Sequence, residues 1–356
     1  MSGHSRAATA LVASATSIAL LAAPAAAQSP AAAGSVRTAD AAPQQVVLNR
    51  AALLSDLTII ARATTLAQRP GWVTRLSVGV GGESVLARQV RDTIGGRDVS
   101  DFTVRGIARV IEVTVAGSGM YVRLPRTTQE RAALALLRRP NAHWAFTADR
   151  AQRLTDSSES VTGAPSQILV ALRTDGAVDL STAHRSTAAD GTRTYFLQGL
   201  TEGKPSGPLT ITITPAGRLV RLQAVQDGTA ARADFAFGPQ RVLVPAASDT
   251  VTAQALATAS SALTLDARVR GLAQATAQRL EAQRQSSGRG LRTAQVRSAV
   301  RAAVRRDVMP GLGGGIAVTV TDVAYGARLS ATNPFTGARV SYTVQLVDRH
   351  AVARAR

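Results

Sequence analysis

Residues Leu209 to Thr250 constrain the fold more than any other part of the chain. Thr210–Thr214 alternates threonine with isoleucine, Pro215-Ala216-Gly217 supplies a turn, and Leu219–Val225 runs back, with Leu219, Arg221 and Gln223 on one face. Asp227-Gly228 leads into Ala231–Phe237, and Gly238-Pro239 leads into Val242–Val244. Short period-two runs separated by tight turns predict an antiparallel meander, one wall of a curved sheet and not a nucleotide-binding fold.

The N-terminal residues bear on destination. Met1–Arg6 carries one firm positive charge, Ala7–Leu21 is apolar and small, and Ala25-Ala26-Ala27 fits a small-x-small cleavage site. Together they predict a secretory signal peptide over 1–27, hence a secreted or cell-envelope, extracytoplasmic protein. No later stretch approaches the ~20 uninterrupted apolar residues of a membrane-spanning helix. The chain contains no cysteine, which excludes disulfides, thiolate metal ligands and a lipidated cysteine.

With 356 residues, 45% of them hydrophobic, the chain can bury about two cores. Only 3% are aromatic, so those cores must be built from Val, Leu, Ile and Ala. The formal charge of +18 is unevenly spread, since residues 257–356 hold fifteen arginines against five acidic side chains. That asymmetry points to an anionic contact in the C-terminal part. The exported setting argues against nucleic acid as the partner.

Four regions follow: 1–27, the signal; 28–45, an Ala/Pro/Ser-rich flexible leader; 46–248, a sheet-rich domain; and 249–356, a basic module of helices and a β-hairpin. Within the sheet-rich domain Asn49 caps a helix to about Gln68, with Leu53, Leu54, Leu57, Ile60 and Ala61 on one face. Trp72–Val80 and Met120–Leu124 read as strands, and Phe102–Val115 as one long strand bent at Gly106. Gln167–Leu172 and Thr192–Leu200 read as further strands, and Thr127/Thr128 caps a helix through Leu137. After Val251 the chain is helical to Arg306, with a break at Ser286–Gly290. Ile316–Val323 and Val340–Val347 then form the arms of a hairpin that turns at Asn333–Gly337.

From about Thr103 to Thr250, the order of segments resembles the actinobacterial LppX/LprA/LprG-type envelope lipoproteins, which share a LolA-like fold. The resemblance rests on Phe102–Val110, on Met120–Pro125 followed by a helix and His143-Trp144, on Gly217–Leu222, and on Ala233–Pro239 before Val242–Pro245. The helix and strand of Asn49–Val80 extend it forward. It implies an α+β fold, a curved antiparallel half-barrel backed by helices, with an apolar cavity for the acyl chains of an envelope lipid. This sequence departs from the family in lacking the lipidated cysteine and in carrying the basic module after Val251.

The residues themselves agree with that picture. Phe102, Val104, Ala108 and Val110 line one face of their strand, with Ile107 and Ile111 on the other, and Ile211 and Ile213 share a face in a later one. These six — Phe102, Val104, Ala108, Val110, Ile211 and Ile213 — are the candidate ligand-binding residues for an amphipathic lipid or lipoglycan. In the second basic helix Arg297, Arg301 and Arg305 run beside an apolar stripe of Val296, Val300 and Val304. They are the candidate contacts for an anionic membrane surface or wall polymer.

Catalytic patterns are not evident. The histidines after the signal, His143, His184 and His350, have no partners at metal-binding spacing, and there is no Gly-x-Ser-x-Gly elbow. Gly203-Lys204-Pro205-Ser206 imitates a phosphate loop, but Pro205 removes an amide donor the cradle would need. No cofactor, no metal and no enzyme activity are expected. The alternative to a lipid carrier is a structural or interaction protein of the cell wall with a filled core, contacting anionic polymer or a partner through its basic module.

Overall fold

The computed structural model describes residues 44–80, 83–104, 108–154, 164–174, 176–201, 203–226, 229–307 and 316–355. The expected signal peptide lies outside these residues, as do all but the last two of the expected leader. The described chain begins with β1 (Gln44–Asn49), α1 (Arg50–Gln68), β2 (Trp72–Val80), β3 (Glu83–Asp92), β4 (Arg97–Val104), β5 (Ala108–Val115) and β6 (Gly119–Arg123). It continues through α2 (Thr128–Leu136), β7 (Trp144–Ala148), α3 (Pro165–Thr174), β8 (Val178–Thr187), β9 (Arg193–Thr201), β10 (Lys204–Ile213), β11 (Leu219–Gln226) and β12 (Thr229–Phe237). The last elements are β13 (Thr250–Thr252), α4 (Ala253–Leu263), α5 (Leu265–Ser287), α6 (Thr293–Asp307), β14 (Thr319–Val323), β15 (Gly326–Thr332), β16 (Arg339–Val347) and β17 (His350–Ala355).

Two compact units result. One holds the described residues up to Arg123 together with Ala148–Val244, and the other holds Leu124–Thr147 and Pro245 onward. The expected boundary at Ser248 is close to Pro245, but Leu124–Thr147 sorts with the C-terminal part. The cause is long-range pairing that no local pattern announces. β13 pairs in parallel with β7, His143 donates its amide to the Asp249 carbonyl at 2.9 Å, and Arg139 Nη2 donates to the carbonyls of Ala247, Ser248 and Thr250.

In the first unit the strands lie in the order β1-β8-β9-β10-β11-β12-β2-β3-β4-β5-β6, every neighbour antiparallel. This is the curved, unclosed α+β sheet the meander predicts. The expected single strand over Phe102–Val115 is instead the hairpin β4–β5, with Val104 opposite Ala108 and Phe102 opposite Val110. Folding back conserves the face, so Phe102, Val104 and Val110 remain on one side; Ile107 lies outside the described residues, as does the side chain of Ala108. Gln167–Leu172 is part of helix α3, not a strand. Pro165 opens that helix, where its missing N–H costs nothing, and Leu169 is fully buried.

α1 follows the sequence closely. Asn49 Oδ1 accepts the Ala52 amide at 3.0 Å, and Leu53, Leu57, Ile60, Ala61 and Thr64 recur every three or four residues on the buried face. They pack with Leu169, Tyr195, Ile211, Ile213 and Leu219 in one core. Complete burial of such a side chain stabilises by roughly 1.5–3 kcal/mol. Polar contacts fix the docking: Asp56 accepts from Tyr195 Oη at 2.8 Å and from Arg185 at 2.9 Å, and Thr64 Oγ1 accepts the Leu219 amide at 3.1 Å. Burial, reinforced by Asp56, pushes the Tyr195 phenol up to about 12.

A register shift between Thr212 and Ile213 corrects one expected face. Ile211 faces Leu222 and Ile213 faces Leu219, so Leu219 turns inward and is fully buried, away from Arg221 and Gln223. The turn before it is as expected: Gly217 takes a φ of 81°, and its amide bonds the Thr214 carbonyl.

In the second unit α2 starts on a complete capping box, Thr127 with Glu130. The helical region is broken at Gly288, which takes the left-handed conformation expected there, and also at Thr264, which was not expected. The expected hairpin is a four-stranded antiparallel sheet, β14-β15-β16-β17. β16 and β17 join through Asp348 and Arg349, both at positive φ. At Gly326 an added Cβ would stand 2.0 Å from the Val344 carbonyl oxygen, so only glycine fits. Val269, Val296, Val300, Leu329 and Val344, each fully buried, join α5 and α6 to this sheet.

Candidate functional site

Residues opposed across an antiparallel ladder share a face, so the register sorts the first unit's side chains. One inner row runs Tyr195, Ile211, Leu222, Ala233, Leu76, Ala87, Phe102, Val110. The next runs Leu197, Leu209, Ala224, Ala231, Val78, Val85, Val104. Five of the six expected ligand-binding residues, Phe102, Val104, Val110, Ile211 and Ile213, therefore lie on the face that α1 covers; the side chain of Ala108 lies outside those described. The structure brings them together as two groups and not as one cluster.

Ile211 and Ile213 are completely buried under α1 and belong to the filled core. Phe102, Val104 and Val110 lie on the β4–β5 side, five and six strands away, and are only half-buried. Among the described residues the core beneath α1 and α3 reaches β2 at Leu76, itself only partly buried. The face formed by Leu76, Val85, Phe102, Val104 and Val110 is apolar, continuous with that core and incompletely covered.

Moving along the same strands, this face changes character. The row beyond the apolar ones holds Thr74, Gln89, Ser100 and Glu112. Thr74 Oγ1 is buried and, among the described residues, bonds nothing. Burial alone holds the Glu112 carboxyl above its ordinary value. One row further, Arg91 Nε donates to Asp98 Oδ2 at 2.6 Å, Gln89 Nε2 donates to the same carboxylate, and the Arg91 guanidinium lies 5.5 Å from the Trp72 ring centre. Burial pushes the Asp98 carboxyl up, and the Arg91 charge and hydrogen bonds offset only part of that. An apolar floor grading into buried polar groups has the two-part chemistry that an amphipathic ligand requires. Of this face the sequence pattern pointed to Phe102, Val104 and Val110; Leu76, Val85 and the polar row depend on register and had no sequence signal.

The C-terminal arginines are held within their own unit. Arg297 donates to the carbonyls of Val323 at 2.6 Å and Gly326 at 3.2 Å, and Arg301 Nη2 donates to Asp322 at 2.7 Å. Two of the three candidate anion contacts thus fasten α6 to the β14–β15 turn, and Arg305 is exposed. His143, which sequence leaves without a partner, sits between Asp249 on Nδ1 at 2.6 Å and Arg126 on Nε2 at 2.8 Å. Both ring nitrogens are occupied, so the pair orders the loop and offers no free base. Among the described residues no group of three metal-ligating side chains occurs, and no helix is long and apolar enough to cross a membrane.

No protein-family model matches the chain, and no curated protein sequence matches it. Solved structures do. LppX of Mycobacterium tuberculosis is 16% identical, with 54% of this chain and 99% of that chain covered and a TM-score of 0.29. LprF of Mycobacterium bovis is 14% identical over 58% of this chain and 99% of that one, with a TM-score of 0.28. An uncharacterised conserved protein of Thermus thermophilus is 12% identical over 55% and 98%, with a TM-score of 0.29.

Proposed function

We propose that this is an exported, non-catalytic binding or carrier protein for an amphipathic envelope lipid, held on the inner face of β2–β5. The observation that carries the reading is the half-buried apolar surface of Leu76, Val85, Phe102, Val104 and Val110, continuous with a finished core. Covering such a surface with an acyl chain gains ~25 cal/mol per Å², enough for useful affinity without a polar motif. The resemblance to the LppX/LprA/LprG-type lipoproteins supports the same reading.

Native mass spectrometry of protein purified from its own host tests this. A co-purifying lipid, lost on Val110→Trp while the fold survives, is the expected result. A bare mass for the wild type, with Val110→Trp strongly destabilised by overpacking of ~1–3 kcal/mol, would instead establish the filled-core structural protein. The complete burial of Ile211 and Ile213 favours that second reading for the β8–β12 side alone.

A further inference from the structure

The outer face of the same strands is built differently, and its central row runs Arg221, Asp234, Arg75, Arg88, Asp101. Both aspartates are committed elsewhere. Asp234 accepts from Arg221 and Arg232, each at 2.7 Å, and Asp101 is gripped by Arg109 through Nε at 2.9 Å and Nη2 at 2.6 Å. Burial raises the Asp234 carboxyl, but Arg232 and Arg221 outweigh it and hold the group below its ordinary value, so it stays ionised. Arg75 and Arg88 are left directly opposite one another, both exposed, and among the described residues neither reaches a carboxylate.

Like charges facing each other across a ladder oppose sheet formation. Five arginines against two aspartates leave this surface strongly positive. The two guanidinium groups open onto a depression of about 520 Å³. Its wall beside them is the row Ser77, Leu86, Thr103, which supplies two hydroxyl donors around a leucine that is 51% exposed, and the rest of the lining includes Arg232 and the two ion-paired aspartates, Asp101 and Asp234. Opposed residues stand roughly 4.5–5.5 Å apart at the backbone, so both guanidiniums can grip the oxygens of one tetrahedral anion.

We propose that Arg75 and Arg88, flanked by Ser77 and Thr103, form a binding site for a phosphate group, with Leu86 receiving an apolar substituent on a phosphate ester. The site is on the sheet face opposite the apolar surface described above and stands whether or not that surface binds lipid. Phosphate neutralises the repulsion between Arg75 and Arg88, and the flanking ion pairs prevent Asp234 and Asp101 from doing so.

Calorimetric titration of the full chain with sodium phosphate, and with octyl phosphate below its micelle concentration, tests the proposal. Saturable binding is expected, at least tenfold weaker in Arg75→Gln/Arg88→Gln and weakened by added salt. Octyl phosphate binding tighter than phosphate, with Leu86→Ser removing the difference, assigns an ester; equal binding of the two assigns free phosphate. Without phosphate, Arg88→Gln is expected to melt no lower than the wild type, which separates a repulsive pair from a structural one. Unchanged affinity in the double variant, or no saturable binding of either probe to a folded wild type, overturns the proposal.

Discussion

The β8–β12 side of the sheet and the β2–β5 side share one inner face yet close it by different means. Beneath α1 and α3 the face is finished: Tyr195, Ile211, Ile213 and Leu219 are completely buried, and their partners Leu53, Leu57 and Ile60 are as well. Across β2–β5, Leu76, Val85, Phe102, Val104 and Val110 are half-buried beside the buried Val78 and Ala87, and the large side chains are fully buried again at the strand ends, where Trp72 and the Arg91–Asp98 pair sit. One side is therefore held by helix packing. The other is held at one end by a polar clamp, leaving valines and a phenylalanine whose burial the protein does not complete. A surface with that history is where binding is expected, because a ligand there gains the hydrophobic stabilisation that folding has not already taken.

The sharpest test of that contrast is the clamp. Asp98→Ala removes the acceptor of Arg91 Nε and Gln89 Nε2 inside the protein, and breaking such a pair typically costs about 3–5 kcal/mol. Urea unfolding of the full chain should show that loss as a lowered midpoint. A loss under about 1 kcal/mol would mean that Trp72 packing alone closes this end.

Next comes a matched pair of truncations. Leu57→Ala, beneath the helix, should cost ~2–5 kcal/mol, whereas Val110→Ala on the half-covered face should cost about 1 kcal/mol. Equal losses would erase the distinction between the two sides. If bound lipid supplies the missing cover, the Val110→Ala loss should grow in lipid-loaded protein while that of Leu57→Ala does not change.

Much of the finished side was legible in the sequence. Asn49 announces its cap, Leu53, Leu57 and Ile60 announce a helix face, and Thr210–Thr214 announces its strand, because each signal is carried by neighbouring residues. The α6 stripe of Val296, Val300 and Val304 was equally plain and is buried as its spacing implies. The features that failed are long-range or break a period. Reversal between Val104 and Ala108 preserves alternation, so a hairpin looked like one strand. The shift at Thr212/Ile213 moved Leu219 away from Arg221, and Pro165 turned an apolar run into a helix. Grouping of Leu124–Thr147 with the C-terminal part rests on pairing with residues more than a hundred positions away. For the same reason alternation could name Phe102, Val104 and Val110 but not Leu76 and Val85 beside them, and it could not tell that Ile211 and Ile213 belong to the filled core. The polar row, and the opposition of Arg75 to Arg88, emerge only once the register between strands is known.

The smallest expected effect lies where the apolar face meets the polar row. Glu112 is largely buried, nothing among the described residues donates to it, and burial raises its carboxyl above the ordinary value. A carboxyl whose folded value exceeds its unfolded one binds protons more tightly when native. Its contribution to stability is thus favourable below the unfolded value and is lost as pH rises through the folded one. At neutral pH the native protein carries this charge at a cost, and Glu112→Gln should stabilise it by ~0.5 kcal/mol. Near pH 4 the wild-type side chain is protonated and resembles glutamine, so the advantage should vanish. Urea midpoints of both proteins at the two pH values check this. An advantage that persisted unchanged in acid would mean glutamine gains a hydrogen bond there. A destabilised variant at pH 7 would mean that the carboxylate has a partner.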